Sequence, residues 1–229
     1  MPTGIGIGIS PFIGRRAAGY PSVLNDGNTV GFYDYLLGVT KDGSNLVSAW
    51  NSIIGANHLL QATGTNQPLW TTDGVLFDGI DNFMKCVAFT WNQPEFIYMV
   101  VKQVTWTADR YILDGNLLNS GLVFQKATTP GLKAYAGTLS DQNNNLVVNT
   151  LGIVRVLFNG AGSKLQVNAT AATTGNFGAN NMGGFTLGAS GGNISWGNIQ
   201  VKEIINRKVA DAAGDEAAIY AYLKAKYGL

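Results

Sequence analysis

From Gly74 onward the chain repeats one pattern: short runs rich in Val, Ile, Phe and Tyr, bounded by Gly, Asn, Asp, Ser or Pro. Val75 to Phe77, Phe83 to Phe89, Phe96 to Val104, Tyr111 to Leu113, Leu122 to Gln125, Leu132 to Tyr135 and Leu146 to Val148 come first. Ile153 to Phe158, Leu165 to Val167, Phe185 to Leu187 and Ile199 to Ile205 continue the series. Many short β-branched and aromatic runs at close spacing, with no amphipathic helix between them, predict the strands of a sandwich or jelly roll. Upstream, Leu46 to Trp50 alternates apolar and polar positions, which predicts a further strand with Trp50 in the core. Near the start, Gly4, Ile5, Gly6, Ile7, Gly8 and Ile9 alternate so that all the apolar bulk falls on one face of an extended segment. The period changes at the other end. Ile219, Tyr220, Leu223 and Tyr227 share a helical face, Asp211 can cap it, Asp215 and Glu216 sit in early turns, Lys224 and Lys226 fall late, and Gly228 stops it. The expected architecture is all-β, a sandwich of two antiparallel sheets with one short C-terminal helix. Residues 1–24 form an extended arm and residues 25–229 the sandwich, with Gly160 to Asn193 supplying strands and long surface loops.

Composition narrows the partners. At 229 residues the chain can bury roughly 70% of the surface its unfolded form exposes. Charged residues are only 13%, against ~25% in ordinary soluble domains, so Asn, Thr, Ser and Gln carry the polarity. A net charge of +1 offers no basic face for phosphates and no polybasic run for an anionic bilayer, which excludes nucleic acid and membrane insertion as expectations. One cysteine, Cys86, forbids an intrachain disulfide, so the fold holds by packing, with Cys86 as a small core residue. Met1 to Phe12 lacks a positive n-region, and Arg15 and Arg16 follow the apolar residues, the wrong order for a signal peptide. No run approaches the ~20 apolar residues of a spanning helix.

Two stretches carry a resemblance. The first holds Ser48-Ala49-Trp50, Gly55 to Thr63 (Gly-Ala-Asn-His-Leu-Leu-Gln-Ala-Thr), Gln67-Pro68-Leu69 and the hairpin Gly74-Val75-Leu76-Phe77-Asp78-Gly79-Ile80-Asp81-Asn82-Phe83. The second holds Ile199 to Arg207 and a terminal helix closing on Tyr222-Leu223 and Lys226 to Leu229. Together, from about Leu36 onward, they resemble concanavalin A-like, laminin-G-type jelly-roll domains. That resemblance implies the fold and not the activity, because lectins, glycanases and structural modules share it. In the hairpin Asn82 stands where that family has a second acidic residue, which puts a metal role in doubt. The Gly-Ile segment ending in Gly14-Arg15-Arg16 resembles the starts of some tailed-phage virion proteins. It implies an attachment arm before a surface-exposed head, a place on the outer surface of a virion, and other virion proteins or further copies of the chain as partners. Its plainer reading is a first strand of the sandwich.

Candidate chemistry is sparse. Glycan hydrolysis uses a pair of carboxylates, and only three Glu are present: Glu95 after Pro94, Glu203 alone, and Glu216 in the helix. No carboxylate occurs between Asp141 and Glu203, which leaves Asp pairs such as Asp109 and Asp114. Gly188-Ala189-Ser190-Gly191-Gly192 matches a nucleophile-elbow pattern, but no helix follows it and the lone histidine, His58, precedes it. No catalytic residue is assigned, and the expectation is a non-enzymatic surface protein whose head binds a bacterial surface polysaccharide. A glycan-active enzyme of the same fold and a free carbohydrate-binding module are the alternatives. Trp91, Trp106 and Trp196 sit beside polar and small residues, where a flat ring can stack on a sugar, and Asn143, Asn144 and Asn145 can bond its hydroxyls. Their plainer readings are core caps and a turn. No cofactor is expected. Asp78 and Asp81 around Gly79 are candidates for Ca²⁺, although Asp beside Gly more readily accepts the amides of its own turn, which is the preferred reading.

Overall fold

The β-branched and aromatic runs become strands, and the computed structural model, which describes residues 19–229, arranges them in two antiparallel sheets. In chain order these are β1 (Thr29–Asp34), β2 (Val39–Lys41), β3 (Val47–Trp50), β4 (Leu59–Leu60), β5 (Leu69–Thr71), β6 (Gly74–Asp78), β7 (Met84–Lys85) and β8 (Glu95–Gln103). They continue as β9 (Tyr111–Asp114), β10 (Leu122–Gln125), β11 (Leu132–Tyr135), β12 (Leu151–Phe158), β13 (Ser163–Val167), β14 (Thr173–Gly175), β15 (Thr186–Leu187) and β16 (Asn198–Arg207), followed by the helix α1 (Ala213–Tyr227). The first sheet runs β14-β13-β12-β8-β16-β6-β5, with β1 also paired to β16; the second runs β11-β10-β9-β15-β7-β4-β3-β2. The chain is therefore an all-β sandwich with one C-terminal helix, as its pattern predicts. The Gly4 to Ile9 arm lies outside the described residues.

β16 organises the first sheet. One of its edges pairs with β8 from Ile199 to Arg207, and the other pairs first with β6, through Asn198 to Val201, and then with β1, through Glu203 to Arg207. The register slips between Val201 and Glu203 against β8, next to the point where β6 hands over to β1. Period-two packing splits the side chains of β8 between two cores. Ile97, Met99 and Val101 face the second sheet, in one core with Trp50, Leu113, Val123 and Phe185 and with Phe77 of the neighbouring β6. Phe96, Tyr98 and Val100 face the other way, onto Ile219, Tyr222 and Leu223 of α1. A strand covered on both faces cannot alternate apolar with polar residues, which is why β8 and β12 are almost continuously apolar.

The helix is held by charge as well as by packing. Lys226 reaches Asp34 at 2.6 Å and Glu203 at 2.5 Å, and the Tyr227 hydroxyl donates to Glu203 at 2.5 Å. Arg155 and Lys164 both meet Glu216. Gly228 ends the helix in the left-handed conformation, φ 69°, with its N–H on the Lys224 carbonyl. Asp211 does not cap it as expected: its carboxylate is taken by Arg207 at 2.6 Å and by the Tyr98 hydroxyl at 2.8 Å, and Ala212 occupies the cap position.

Three further expectations shift. Leu146 to Val148 is not a strand: Leu146 is buried while its carbonyl accepts the Gln103 side chain at 2.8 Å. Of Phe83 to Phe89 only Met84–Lys85 is extended and paired. Tyr20 and Leu24, on the arm side of the expected boundary, pack against the sandwich, the Tyr20 ring lying 4.8 Å from Phe32 and 5.9 Å from Tyr222.

Candidate ligand cleft

At one end of the sandwich, strand ends from both sheets converge. β6 finishes at Asp78, directly opposite Asn198, the first residue of β16. Two residues earlier, Trp196 bridges to Tyr111 at the start of β9. The approach needs glycine: a Cβ on Gly197 would lie 2.3 Å from the Tyr111 carbonyl oxygen, and one on Gly79, where φ is 76°, would lie 2.8 Å from the Asn198 Cβ. Between these segments is a cleft of about 120 Å³ lined by Asp78, Thr105, Thr107, Arg110, Trp196 and Asn198. Buried Gln125 at the end of β10 fixes one wall, donating to the Thr105 carbonyl at 2.7 Å and accepting the Thr107 amide at 3.0 Å.

The lining is polar and includes groups with bonding capacity to spare. The Asp78 carboxylate accepts through Oδ1 from the amides of Ile80 (2.8 Å), Asp81 (3.3 Å) and Asn82 (3.4 Å), which leaves Oδ2 free of protein donors among the described residues. The Trp196 Nε1–H is buried and has no acceptor among the described residues. Arg110, half-buried, makes no side-chain hydrogen bond or ion pair to any described residue. A carboxylate oxygen, a guanidinium and two hydroxyls around one small space, with the Trp196 side chain in its wall, suit a ligand rich in hydroxyl groups.

Of the aromatic and amide residues picked out in the sequence, only Trp196 lines this cleft. Trp91 is a correction: it is 1% exposed, stacked on Phe89 at 5.8 Å inside the core, and presents no face to a sugar. Asn143 is a second, buried with its side chain toward the Leu165 carbonyl and its Oδ1 accepting from Asn145, because it closes the turn beside β11. Trp106 is half-buried and spends its indole N–H on the Gly131 carbonyl at 3.0 Å. Asn144 is exposed and bonded by Gln142. Asp78 serves the amides of its own turn, while Asp81 accepts weakly from Asn82; among the described residues no three His, Cys, Asp or Glu side chains gather as metal ligands do. Sequence reading passed over Arg110, Thr105 and Thr107. The available signal was a lone arginine just after Thr105, Thr107 and Asp109 in a chain so poor in charge.

The remaining carboxylates do other work. Asp114 is fully buried and accepts five backbone amides, from Gly115, Asn119, Ser120, Gly121 and Gly191, at 2.8 to 3.2 Å. Burial still holds its pKa above the usual range. Asp109, five residues away, is exposed and paired with Lys126, so the two do not converge. Glu95, also fully buried, accepts the Met182 amide at 2.6 Å, and burial pushes its pKa up to about 8. Ser190 is buried in a tight turn with the Ile194 amide on its hydroxyl, not on a strand-to-helix elbow. Cys86 is a core residue, as expected.

No protein-family model and no curated protein matches the sequence. Solved structures do match in shape. A sialidase of Trypanosoma rangeli in complex with 2,3-difluoro-KDN superposes with a TM-score of 0.62 at 10% identity, over 87% of this chain and 33% of that one. An arabinofuranosidase complexed with arabinofuranosyl-α-1,2-xylobiose gives 0.63 at 12% identity, over 88% and 64%. A GH54 α-L-arabinofuranosidase gives 0.59 at 12% identity, over 78% and 50%. The chain thus spans about a third of the sialidase and half to two thirds of the arabinofuranosidases. These neighbours overturn the expectation that the chain stands apart from enzymes, since the sandwiches it superposes on are parts of glycoside-cleaving proteins. At such identities the shared property is the fold: this chain is a β-sandwich of the shape found in sialidases and arabinofuranosidases.

Proposed function

We propose that this chain is a glycan-active protein that takes its sugar in the cleft between Asp78, Arg110 and Trp196. The observation that carries the reading is that Asp78 Oδ2 and the Arg110 guanidinium line the cleft without partners among the described residues, on a sandwich whose structural neighbours are a sialidase and arabinofuranosidases. A guanidinium partly withdrawn from water and without a partner among the described residues gains from the oxygens of a bound sugar. The free oxygen of Asp78 accepts from sugar hydroxyls, and Thr105 and Thr107 both donate and accept. The virion location and the anchoring arm rest on residues 4–9 and draw no support from this geometry.

The test is a titration of the full chain with a panel of oligosaccharides that includes arabinofuranosides and sialosides, followed by ¹H–¹⁵N spectra, with the same mixtures assayed for released sugar. The expected result is saturable movement of the Trp196 indole resonance together with the amides of Thr105, Thr107 and Asn198, and accumulation of product. A panel that leaves those resonances in place overturns the reading. Movement without release removes the catalytic half of it and keeps recognition.

A further inference from the structure

Three arginines fall among the described residues, and the protein treats one of them differently. Arg207 is wholly buried and saturated: it donates to Asp26 at 2.9 Å, to Asp211 at 2.6 Å and to the Val23 carbonyl at 2.9 Å. Arg155, nearly buried, donates to Glu216 at 2.8 Å and to the Asn168 carbonyl at 2.6 Å, and covers the Tyr220 ring at 4.4 Å. Arg110 has no such partner among the described residues, although it is half-buried and two residues on from exposed Ala108. Its charge is partly withdrawn from water and not offset by any described residue, in a chain with few charges to spare. Asp78 lines the same small cleft yet lies beyond ion-pair distance, so the two charges stand apart on the lining instead of cancelling.

We propose, resting on the glycan reading above, that the preferred ligand is an acidic sugar, its carboxylate gripped by Arg110 while Asp78 takes its hydroxyls. A guanidinium presents a planar fork of N–H donors that matches the two oxygens of a carboxylate, and its proton is never lost in the accessible pH range. Asp78 works in the opposite sense, as an acceptor for hydroxyl protons, and its presence disfavours a ligand that is anionic on every side. A cleft so divided reads one end of a sugar ring as an anion and the other as an alcohol.

Isothermal calorimetry with the full chain tests this with three probes of equal length: an oligogalacturonide, the same oligosaccharide with its carboxyls reduced to primary alcohols, and a sulfated neutral oligosaccharide. The oligogalacturonide should bind about 10- to 100-fold more tightly than its reduced form, the worth of a charge-assisted bidentate contact. Arg110→Gln should erase that difference, bringing the acidic sugar's affinity down to or below that of the reduced form, with the melting temperature little changed, since the Arg110 side chain makes no hydrogen bond or ion pair to any described residue. Equal affinity of acidic and reduced sugars, with Arg110→Gln silent, overturns the acidic preference and leaves the glycan reading standing. A preference for the sulfated probe overturns the carboxylate assignment. Absence of binding by all three, together with an unresponsive Trp196 resonance across the wider panel, overturns both.

Discussion

Glu95 offers a pH test whose sign follows from its surroundings. It opens β8 just after Pro94, fully buried, with Oε1 accepting the Met182 amide at 2.6 Å and Oε2 without a partner among the described residues. One amide does not offset the loss of water around a carboxylate, so burial raises the pKa from 4.5 to about 8, and the native protein holds the carboxyl protonated at neutral pH. Between those values the native state binds a proton that the unfolded chain has released. Stability therefore falls as pH rises, by about 1.4 kcal/mol per unit, and the whole window is worth about 5 kcal/mol. The contribution is complete below pH 4.5 and gone above pH 8. Glu95→Gln keeps an acceptor for Met182 and cannot ionise. Its unfolding free energy, from guanidinium titrations at half-unit intervals, should match the parent's within about 1 kcal/mol at pH 4.5 and exceed it by several kcal/mol at pH 8. Asp114 and Glu203, whose pKa values burial also raises, titrate in both proteins and drop out of the comparison. A variant-minus-parent difference that stays flat from pH 4.5 to 8 would refute the reasoning, because it would mean that the buried carboxyl pays no ionisation cost.

Other substitutions probe the helix, the cleft and the thiol. Lys226→Met strips the counter-ion from buried Asp34 and Glu203 and should cost about 3–5 kcal/mol, with amide exchange in α1 rising most; a loss under 1 kcal/mol would show that the ion pairs do not anchor the helix. Gly197→Ala drives a Cβ to 2.3 Å from the Tyr111 carbonyl and should lower stability by about 1–3 kcal/mol in thermal melts while moving the Trp196 resonance; an unchanged melt would remove the tight approach as the cleft's framework. Cys86, 4% exposed and with its thiol pKa raised by burial, should be inert to Ellman's reagent in buffer and titrate fully in denaturant; a native thiol that reacts within minutes would contradict its place in the core.

The architecture was legible where one rule governs a residue. Leu122–Gln125 and Leu132–Tyr135 fall where β-branched and aromatic content put them, and Trp50 lies in the core as its alternation requires. The missed strands are those whose residues answer to something distant. β1 carries Gly31 and Asp34 and is a strand because β16 lies beside it, and β14, Thr173–Gly175, has no apolar residue at all. Trp91 shows the limit for sites. Polar neighbours in sequence suggested a loop, yet the ring turns inward onto Phe89 and Phe185, since a neighbour list in one dimension says nothing of what folds over it. Arg110 was hidden for the opposite reason. Its distinction is the lack of an acidic partner among the described residues, and an acidic partner such as Asp26 of Arg207 lies 181 residues away along the chain.

β16 joins residues that are far apart in the order of synthesis. Its Arg207 end lies against Thr29, 178 positions earlier, while its other edge closes on β8. It is also made after every other described strand, and it forms the seam between β8 on one side and β6 with β1 on the other. Until it emerges from the ribosome, the earlier strands of the first sheet present open edges and an uncovered apolar face to the cell. The chain is thereby committed to slow, late closure governed by long-range pairing, and a nascent protein stalled before Asn198 is the species in which aggregation should concentrate.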